Sequence, residues 1–557
     1  MRIRDADPEE AAEITGLVLR SKSHWGYPGS LLADWAPELT LTPERIIPRR
    51  VVVAEDDSGL LGTACLDGTP PEGAIGLLFV EPTALRRGIG RALYAHVLEA
   101  ARERGFERVG IAADPHAVPF YRALGARPAP RESGADPAAE PGGLVPLVAE
   151  LRPRVPWAQI WTGGRRAVHL GNAAEFQAQF GGATEQAREA ASHYACLAVF
   201  ASPHPAAVVL PRAVPDGWIA LVARQLRWAQ VEVHREGGPA LAARLRAPGL
   251  PLVPWGHTAA TGELTGHPLP PGALRYESKR ASHSLFRRLA PGHPGIAVPA
   301  RWTPAGRREA ARLIAARARA GLATVWKSEH GAGGSGTGIL TGRVRARSLP
   351  RGPLLLEEYI AGDGTHPTYD GIVDARGEVH DVGVAAMEIE GTAYRGATAG
   401  PGAVAPERAA HALRFGHAVG RELAASGYRG WYDVDFVTGP DGRLAPTETN
   451  LRLTGPAVAF LVKQRLDETR GGDHLVRALD RVPLGARLPD AELMALLHRL
   501  TEACAGIDTV LLPSIPTAAY EPDPYIGVVL AAATHHRIDA ADALVHTVCR
   551  RLGRVFR

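Results

Sequence analysis

The most restrictive feature of this chain is a pair of short apolar-acidic segments around residue 440. Residues 430–437 read GWYDVDFV and residues 444–452 read LAPTETNLR, with TGPDGR between them. Two alternating segments joined by such a turn predict an antiparallel β-hairpin. Alternation places the polar side chains of each strand on one face. These side chains are Asp433 and Asp435 on the first strand, and Glu448, Asn450 and Arg452 on the second.

Oxygen ligands on paired strands are typical of a magnesium site, because Mg²⁺ binds a few carboxylates together with phosphate oxygens. Composition strengthens this interpretation. The chain has two asparagines, one of which is Asn450, and only four of its 63 basic residues are lysines, which leaves 59 arginines. A lysine or asparagine retained against such a bias is expected to have a chemical role. The alternative is a hairpin whose acids simply face water.

A second motif combines one of these lysines with a glycine-rich segment. Residues 324–327 read TVWK, a strand pattern, and lead into SEHGAGGSGTG at 328–338. The segment is not a P-loop, since no GK[ST] opens a helix. A strand lysine beside a glycine-rich loop can hold nucleotide phosphates, although such a loop can also be a linker. The candidate phosphate-binding residues are Lys279, Lys327, Gly333, Gly334, Ser335 and Gly336.

The segment LLLEEYI at 354–360 is an apolar strand that ends in acids. Such a strand can act as a hinge whose backbone and carboxylates bind adenine and ribose, or it can be a buried strand that meets solvent. Asp363 is a further candidate for the ribose. The hinge candidates are Glu357, Glu358, Tyr359 and Ile360.

The motifs of residues 276–470 resemble the ATP-grasp superfamily in their order along the chain. That order is Lys279, Lys327, the glycine-rich loop, the hinge EEYI, the segment DVDF and the segment ETNLR. The resemblance implies that Asp435, Glu448 and Asn450 bind Mg²⁺, that Lys279 and Lys327 bind the phosphates of ATP, and that Glu357 lies at the adenine end. The form TETNLRLTG looks most like ATP-grasp peptide ligases of the pheganomycin type. Residues 153–275 would then be a pre-ATP-grasp domain and residues 471–557 a ligase extension.

The same resemblance implies an ATP-dependent carboxylate–amine ligase. A substrate carboxylate is phosphorylated by ATP, and an amine attacks the acyl phosphate to give an amide, ADP and phosphate. Arg452 would hold the acyl phosphate or the carboxylate. Arg395 is a second candidate for that role, unless it is simply a surface residue. The partners would be small-molecule or peptide carboxylates and amines.

The N-terminal region has its own glycine motif. The segment FVEPTALRRGIGRALYAHVLEA, which starts at Phe79, places a glycine-rich turn between a strand and a helix. Small residues let the backbone approach a pyrophosphate, and N–H groups of the helix N-terminus then face the anion. The candidate residues are Val80, Arg87, Gly88, Ile89, Gly90, Arg91 and Ala92.

Together with DPHAVPFYRALGAR at 114–127, this motif resembles the GCN5-related N-acetyltransferase (GNAT) family over residues 1–152. The resemblance implies acetyl-CoA binding and a Tyr121 that protonates the departing thiolate of CoA. Asp114 departs from the family pattern, which often has Asn. The segment SKSHWGYP at 21–28 occupies the family's acceptor side. Glu81 and Glu72 both remain candidates for the general base.

The overall composition excludes several classes of protein. The chain has 557 residues, a formal net charge of +4 and 45% hydrophobic residues, and these values are typical of a globular protein with several domains. No apolar run is long enough for a membrane span, and the charged N-terminus predicts no secretory signal, so we expect a cytoplasmic enzyme. Dispersed arginines argue against nucleic acid as a partner, and a homodimer is compatible with the sequence.

The element pattern predicts an α/β (α+β) protein with a GNAT domain, pre-ATP-grasp and ATP-grasp domains and a C-terminal extension. Within residues 153–275, helices alternate with predicted strands at 195–201, 207–210 and 252–254, as in a small open α/β domain. Four cysteines far apart in sequence argue against disulfides or a zinc site.

Together the two resemblances imply a bifunctional enzyme of peptide-like natural-product biosynthesis, in which the acetyltransferase caps an amine on an intermediate of the same pathway. Two alternatives remain open. In the first, the ligase keeps its activity and the GNAT domain is a non-catalytic, CoA-binding regulator. In the second, a protein-lysine acetyltransferase is fused to an NDP-forming acyl-CoA synthetase. The second would need a further CoA-binding Rossmann unit, and residues 153–275 contain no GxGxxG.

Overall fold

A computed structural model describes residues 1–104, 106, 108–129, 143–151, 157–181, 185–235, 238–247, 249–331 and 336–555. The chain divides into two compact units, Met1–Val155 and Pro156–Arg557. The fold is mixed α/β, as the sequence predicts. Among the described residues, no helix combines the length and the apolar character that crossing a membrane requires.

The first unit is built on one seven-stranded sheet. Its strands are β1 (Arg2–Asp5), β2 (Val52–Asp56), β3 (Gly59–Thr69), β4 (Glu72–Val80), β5 (Arg108–Ala113), β6 (Arg127–Pro128) and β7 (Val145–Glu150). Their order is β1-β2-β3-β4-β5-β7-β6, and only the β4–β5 pair is parallel. Its helices are α1 (Ala11–Ser23), α2 (Gly29–Leu39), α3 (Pro43–Ile46), α4 (Ile89–Glu103) and α5 (Val118–Ala123).

Strands β4 and β5 pair over only part of their length. The register joins Glu72 to Arg108 and ends where Ile75 meets Ile111, although β4 continues to Val80. The backbone of the second half of β4 is therefore not paired with β5, which leaves a gap at the carboxyl end of the two strands. Helix α4 begins nine residues after Val80, at Ile89, so its N-terminus follows this open half of the strand.

The second unit begins with a parallel sheet, as expected for a small open α/β domain. Its strands are β8 (Ala167–Leu170), β9 (Pro205–Leu210), β10 (Glu232–Arg235) and β11 (Leu252–Pro254), in the order β10-β9-β8-β11. The helices are α6 (Trp157–Thr162), α7 (Ala173–Ala178), α8 (Glu185–Tyr194), α9 (Trp218–Leu226), α10 (Gly238–Arg246) and α11 (Ala259–Thr265).

One strand predicted here is wrong. Residues 195–201 contain a short 3₁₀ helix, Ala195–Phe200, whose residues are all buried. A short apolar run that is buried on every side has no periodicity that separates a strand from a helix. The predicted strand at 252–254 is confirmed, and the one at 207–210 lies within β9.

Two further sheets complete the second unit. The smaller has the order β12-β15-β13-β14, with β12 (Arg301–Trp302), β13 (Thr324–Lys327), β14 (Thr337–Leu340) and β15 (Leu355–Glu358). The larger contains β16 (His366–Val373), β17 (Val379–Glu390), β18 (Ala393–Ala399), β19 (Gly430–Thr438), β20 (Leu444–Asn450), β21 (Leu475–Pro483), β22 (Val510–Ile515) and β23 (Tyr525–Ala532). Its order is β20-β19-β16-β17-β18-β21-β23-β22, antiparallel throughout.

Helices cover these two sheets. They are α12 (Lys279–Leu289), α13 (Arg307–Arg319), α14 (Pro406–Ala425), α15 (Gly455–Arg470), α16 (Asp490–Ala505) and α17 (His535–Val555). The expected boundary between residues 470 and 471 falls inside the larger sheet, because β21 pairs with β18. One apolar core contains Val253, Ile372, Leu461 and Leu512, and so joins residues from all three predicted parts of this unit.

We predict that a chain ending at Arg470 cannot fold its second unit. Truncation there removes β21, β22 and β23, exposes the edge of β18, and uncovers apolar side chains that pack on the missing strands. In differential scanning calorimetry the unfolding transition of the second unit should disappear. A chain ending at Val555 is the control and should keep it. A cooperative transition of that unit in the shorter chain would contradict the assignment of these strands to one sheet.

Candidate functional site

The predicted hairpin is confirmed, and it brings the polar residues of both strands together. In the β19–β20 register, Asp433 faces Asn450 and Asp435 faces Glu448. The amide nitrogen of Asn450 donates to Asp433 Oδ1 at 2.8 Å and to Asp435 Oδ2 at 3.3 Å. The asparagine therefore sits between two acidic side chains that would otherwise repel each other.

A fourth acid, which sequence reasoning missed, comes from the neighbouring strand. Asp370 on β16 lies opposite Asp433 in the register, and its Oδ1 accepts a hydrogen bond from Trp431 Nε1 at 2.7 Å. Burial raises the pKa of Asp370 to about 8. Burial, followed by the neighbouring carboxyl groups, also raises the pKa values of Asp433 and Asp435 well above their usual range. The only sequence signal was one aspartate in the strand HPTYDGIV at 366–373.

Arg452 connects the hairpin to the residues before α12. Its Nη2 donates to Asn450 Oδ1 at 2.7 Å, and its Nε lies 3.5 Å from Glu277 Oε1. Glu277 also accepts a hydrogen bond from the backbone N–H of Leu451 at 2.6 Å. Arg452 is buried, and Glu277 is the buried counter-ion that the sequence did not identify.

The two predicted phosphate-binding lysines are buried, with 5% exposure for Lys279 and 6% for Lys327. Lys279 Nζ lies 2.8 Å from Glu448 Oε2 and donates to Gly331 O at 3.1 Å. Lys327 Nζ lies 2.7 Å from Glu357 Oε2. Lys279 is thus paired with a carboxylate of the hairpin, and Lys327 with a carboxylate of the predicted hinge.

Glu357 is predicted to lie at the adenine end of the site, and in the structure its carboxylate faces two cations. Its carboxylate is buried and ion-paired with both Lys327 and Arg301. These two cations keep the pKa of Glu357 below its usual range, although burial alone would raise it. Arg301 was not among the predicted residues, because nothing in its local sequence distinguishes it from the many other arginines.

The rest of the predicted hinge lies at the surface of one cavity. Glu358, Tyr359 and Ile360 line this cavity, and the carboxylate of Glu358 is exposed. Asp363 lies outside the lining residues and is ion-paired with Arg408 at 2.7 Å, so its carboxylate is not directed at a ligand there. Arg395 lines the cavity from β18 and pairs with Glu390 at 2.8 Å.

The glycine-rich loop is described only at its two ends. Gly333, Gly334 and Ser335 lie outside the described residues. The backbone carbonyl of Gly336 accepts a hydrogen bond from the N–H of Ser328 at 2.7 Å. Gly336 has φ = +71°, and a Cβ atom there would lie 2.1 Å from Ser328 Oγ, so the base of the loop requires glycine.

The cavity has a volume of about 560 Å³, within the range of small-molecule sites. It lies in the second unit and is lined by parts of the smaller sheet, the hairpin, β18, α8 and β21. Of the predicted residues, those that line it are Lys327, Glu357, Glu358, Tyr359, Ile360, Arg395, Asp433, Asp435, Glu448, Asn450 and Arg452.

In the first unit, the glycine turn lies against the helix that carries Tyr121. The position of a Cβ atom on Gly90 would be 3.5 Å from Val80 and 3.6 Å from Phe120, so these three residues are neighbours. Gly88 has φ = +84°, and the backbone carbonyl of Gly88 accepts from Ala92 N–H in the first turn of α4. Arg87 instead pairs with Asp56 at 3.1 Å.

Tyr121 is buried, and its ring contacts those of Tyr94 and Phe120 edge-on at 5.5 Å and 5.0 Å. Burial raises its pKa above the usual value, so the phenol stays protonated. That state suits a proton donor.

The segment at 21–28 meets Asp114, the residue that departs from the family pattern. Lys22 Nζ lies 2.8 Å from Asp114 Oδ2 and 4.2 Å from the ring centre of Trp35. The hydroxyl of Tyr27 donates to Asp114 at 2.8 Å. Burial, followed by the hydrogen bond to Asp114, raises the pKa of Tyr27 to about 12.

The two general-base candidates lie at opposite ends of β4. Glu81 directly follows Val80 and pairs with Arg20 at 2.9 Å. Glu72 begins the strand and lies roughly 26 Å from Val80, since a strand rises about 3.3 Å per residue. Glu72 is therefore too far from the open end of β4 to act on a group bound there.

Comparison with known proteins gives one family match. The model of the acetyltransferase (GNAT) family matches residues 21–126, so that part of the chain is similar to the family. No curated protein shows significant sequence similarity to the chain.

Solved structures are similar to each part of the chain. A carboxyaminoimidazole ribonucleotide synthase from Aspergillus clavatus, solved with ATP, is 15% identical with a TM-score of 0.42, covering 63% of this chain and 100% of that one. The biotin carboxylase of Campylobacter jejuni is 14% identical with a TM-score of 0.39, covering 62% and 84%. The PaiA N-acetyltransferase of Thermoplasma acidophilum, solved with coenzyme A, is 14% identical with a TM-score of 0.23, covering 27% and 98%.

We predict that Glu357→Gln destabilises the second unit by about 3 kcal/mol, because the loss of one charge leaves Lys327 and Arg301 buried without their counter-ion. Urea unfolding measures the change in the free energy of unfolding. Glu358→Gln is the matched control, since that neighbouring carboxylate is exposed, and it should change stability by no more than about 0.5 kcal/mol. A loss for Glu357→Gln as small as the one expected for the control would show that the buried ion pairs contribute little to stability.

Proposed function

We propose that the second unit is an ATP-dependent carboxylate–amine ligase of the ATP-grasp type that releases ADP. The observation that carries this proposal is the single cavity whose lining includes Lys327, the acidic hairpin and the segment Glu357–Ile360. A nucleotide needs a cation for its phosphates, which the buried lysine provides. Its metal needs hard oxygen ligands, which the hairpin provides, and its ribose can bind the exposed acidic end of the strand.

The hairpin fits a magnesium ion. Asp435 Oδ1 is buried without a hydrogen-bond partner among the described residues, and Glu448 lies directly opposite it. Asp435 and Glu448 would hold Mg²⁺ through carboxylate oxygens. Asn450 would add a third oxygen after its amide turns, since its nitrogen now faces the two aspartates. When bound, the ion would neutralise charge on the phosphates of the nucleotide.

The reaction begins when a carboxylate oxygen of the first substrate attacks the γ-phosphorus of ATP. The bond between that phosphorus and the β–γ bridging oxygen breaks, and ADP leaves with its electron pair. The amine of the second substrate then attacks the acyl carbon. Phosphate departs, the nitrogen loses a proton, and an amide remains. The enzyme contributes mainly by positioning and by electrostatic stabilisation.

The residues of the chain have distinct parts in these steps. Lys279 and Lys327 would bind phosphate oxygens after exchanging their present partners, Glu448 and Glu357. Arg452 would hold the acyl phosphate, since its guanidinium lines the cavity beside Asn450. Arg395 lines the same cavity from strand β18 and would bind a further anionic group of the substrate.

For the first unit we propose acetyl transfer from acetyl-CoA to an amine. The pyrophosphate of CoA would bind at the N-terminus of α4, and the thioester would lie at the open end of β4 near Val80. Tyr121 would protonate the departing thiolate, and Glu81 is the better-placed candidate for the base. The two activities on one chain, together with the resemblance to pheganomycin-type ligases, favour the synthesis and capping of a peptide-like natural product.

We predict that the protein converts ATP to ADP, and not to AMP, when suitable carboxylate and amine substrates are supplied with Mg²⁺. Glu448→Gln should lower this turnover by at least about 100-fold, because it removes one of the two charged metal ligands. Product nucleotides can be separated by anion-exchange chromatography.

The control for this prediction is Asp441→Asn, which alters an exposed acid in the turn of the same hairpin and should leave turnover unchanged. The appearance of AMP and pyrophosphate would contradict the proposal. So would near-normal turnover of Glu448→Gln at ordinary Mg²⁺ concentrations.

We further predict that the full-length protein binds acetyl-CoA and that Gly90→Glu prevents this, since the new carboxylate would repel the pyrophosphate at the start of α4. Tyr121→Phe should keep the affinity for acetyl-CoA but lower the acetylation rate by about 100-fold. Calorimetry measures the binding, and thiol release measures the rate with a panel of amines that includes the substrates and product of the ligase.

Tyr94→Phe is the matched control, as it removes a neighbouring buried hydroxyl on α4 and should keep the rate. Binding of acetyl-CoA without acetylation of any amine would instead favour a regulatory first unit. The absence of binding to the wild-type protein would exclude both roles.

A further inference from the structure

The end of the cavity formed by β21 contains a group that the proposed reaction does not use. Asp480, on β21, lines the cavity and is 7% exposed. Its Oδ2 has no hydrogen-bond partner among the described residues. A buried carboxyl oxygen without a partner is energetically costly, and its position at a cavity wall indicates that a ligand supplies the missing donor.

A β-bulge explains how Asp480 comes to face the cavity together with its neighbour. In the β21–β23 register, Leu479 pairs with Val528 and Val482 pairs with Ile526, so Asp480 and Arg481 both lie opposite Gly527. In a regular strand, successive side chains point to opposite faces, whereas a bulge re-aims one of them. Both Asp480 and Arg481 consequently line the same cavity.

The surroundings of Asp480 favour an ammonium group as the ligand. Tyr194 lines the cavity together with Asp480. The hydroxyl of Tyr394, on β18, is buried and has no partner among the described residues. A primary ammonium group has three N–H donors, and Asp480 Oδ2 and the Tyr394 oxygen offer it two acceptors. Magnesium would need more hard oxygen ligands than this end of the cavity provides.

Arg481 offers the opposite charge next to Asp480. Its side chain is exposed at the mouth of the cavity, and its guanidinium lies 4.3 Å from the ring centre of Tyr525. Stacking on an aromatic ring fixes the plane of the guanidinium while leaving its N–H groups available. No carboxylate in the described part of the chain pairs with it, so it can bind an external carboxylate bidentately.

This end of the cavity is also close to the reacting centre. Asp480 of the bulge lines one cavity together with Tyr194, Arg452 and Asp433, so the bulge and the acidic hairpin face the same space. A molecule held by Asp480 would therefore present its nitrogen towards the position where Arg452 holds the acyl phosphate.

We propose that the bulge residues Asp480 and Arg481 form the acceptor subsite, with Asp480 binding the amino group of the nucleophile and Arg481 binding its carboxylate. The acceptor is then an amino acid or a short peptide with both groups free. This inference rests on the proposed ligase function for the role of the bound amine, but the binding itself needs neither ATP nor a metal.

Burial raises the pKa of Asp480 to about 7 in the free enzyme. An ammonium group would lower that pKa, since an opposite charge favours the ionised carboxylate. Asp433 and Asp435 of the hairpin line the same cavity as Asp480.

Saturation-transfer difference NMR on the full-length protein, without ATP or Mg²⁺, tests this proposal. The probes are the twenty common amino acids and their glycyl dipeptides, followed by the N-acetyl and carboxamide forms of the tightest binder. We expect at least one free amino acid or dipeptide to bind. N-acetylation and the variant Asp480→Asn should each weaken that binding at least tenfold.

Arg481→Gln should weaken binding of the free acid but leave binding of its carboxamide unchanged. A general loss of structure would weaken both. Asp441→Asn is the control and should change nothing, and thermal unfolding checks that each variant is folded. Because Arg481 is exposed, its variant keeps the test decisive even if Asp480→Asn does not fold.

Three results would overturn the proposal: no probe binds the wild-type protein, N-acetylation has no effect, or both variants bind as the wild type does. Because the binding is measured without ATP, its result does not depend on whether the ligase assignment is correct. Acceptor binding without ADP formation would contradict the proposed function alone.

Discussion

The candidate site depends on the amide of Asn450, which donates to two aspartates and accepts from a buried arginine. Carboxylates that are removed from water at close range repel each other, and burying them is costly unless donors compensate. The nitrogen of Asn450 separates Asp433 from Asp435, and its oxygen fixes Arg452. Few side chains can donate to acids on one side and accept from a cation on the other.

The lysines are held by a second set of charges. Lys279 pairs with Glu448, and Lys327 pairs with Glu357, which also receives Arg301. Each carboxylate compensates a buried cation and fixes its position. A bound nucleotide would exchange these partners, as phosphate oxygens would take the lysines and a metal would take Glu448. The charges of the free site are thus complementary to those of Mg²⁺ and a triphosphate, so binding needs no new buried charge to be created.

Much of this site could be predicted from sequence, and the limits of that prediction have physical reasons. The hairpin was predictable because its two strands and turn are contiguous, so alternation and turn chemistry determine its register. Asp370, Glu277 and Arg301 were missed because they reach the site through pairings between segments far apart in sequence. Asp480 was missed because a bulge overrides the alternation that sequence reasoning uses. Glu357 was found, but its pairing with Arg301 was not, because nothing in the local sequence distinguishes Arg301 from the other arginines.

The central claim is that a substrate carboxylate is activated as an acyl phosphate. The most direct measurement uses a carboxylate that supports ADP formation, labelled with ¹⁸O in both oxygens, in a reaction with ATP and amine. Mass spectrometry then locates the label among the products. An acyl phosphate requires one ¹⁸O in inorganic phosphate, because the bond from the acyl carbon to the bridging oxygen breaks when the amine attacks. Label in AMP would show adenylation, and unlabelled phosphate would show hydrolysis of ATP by water; either result would contradict the account.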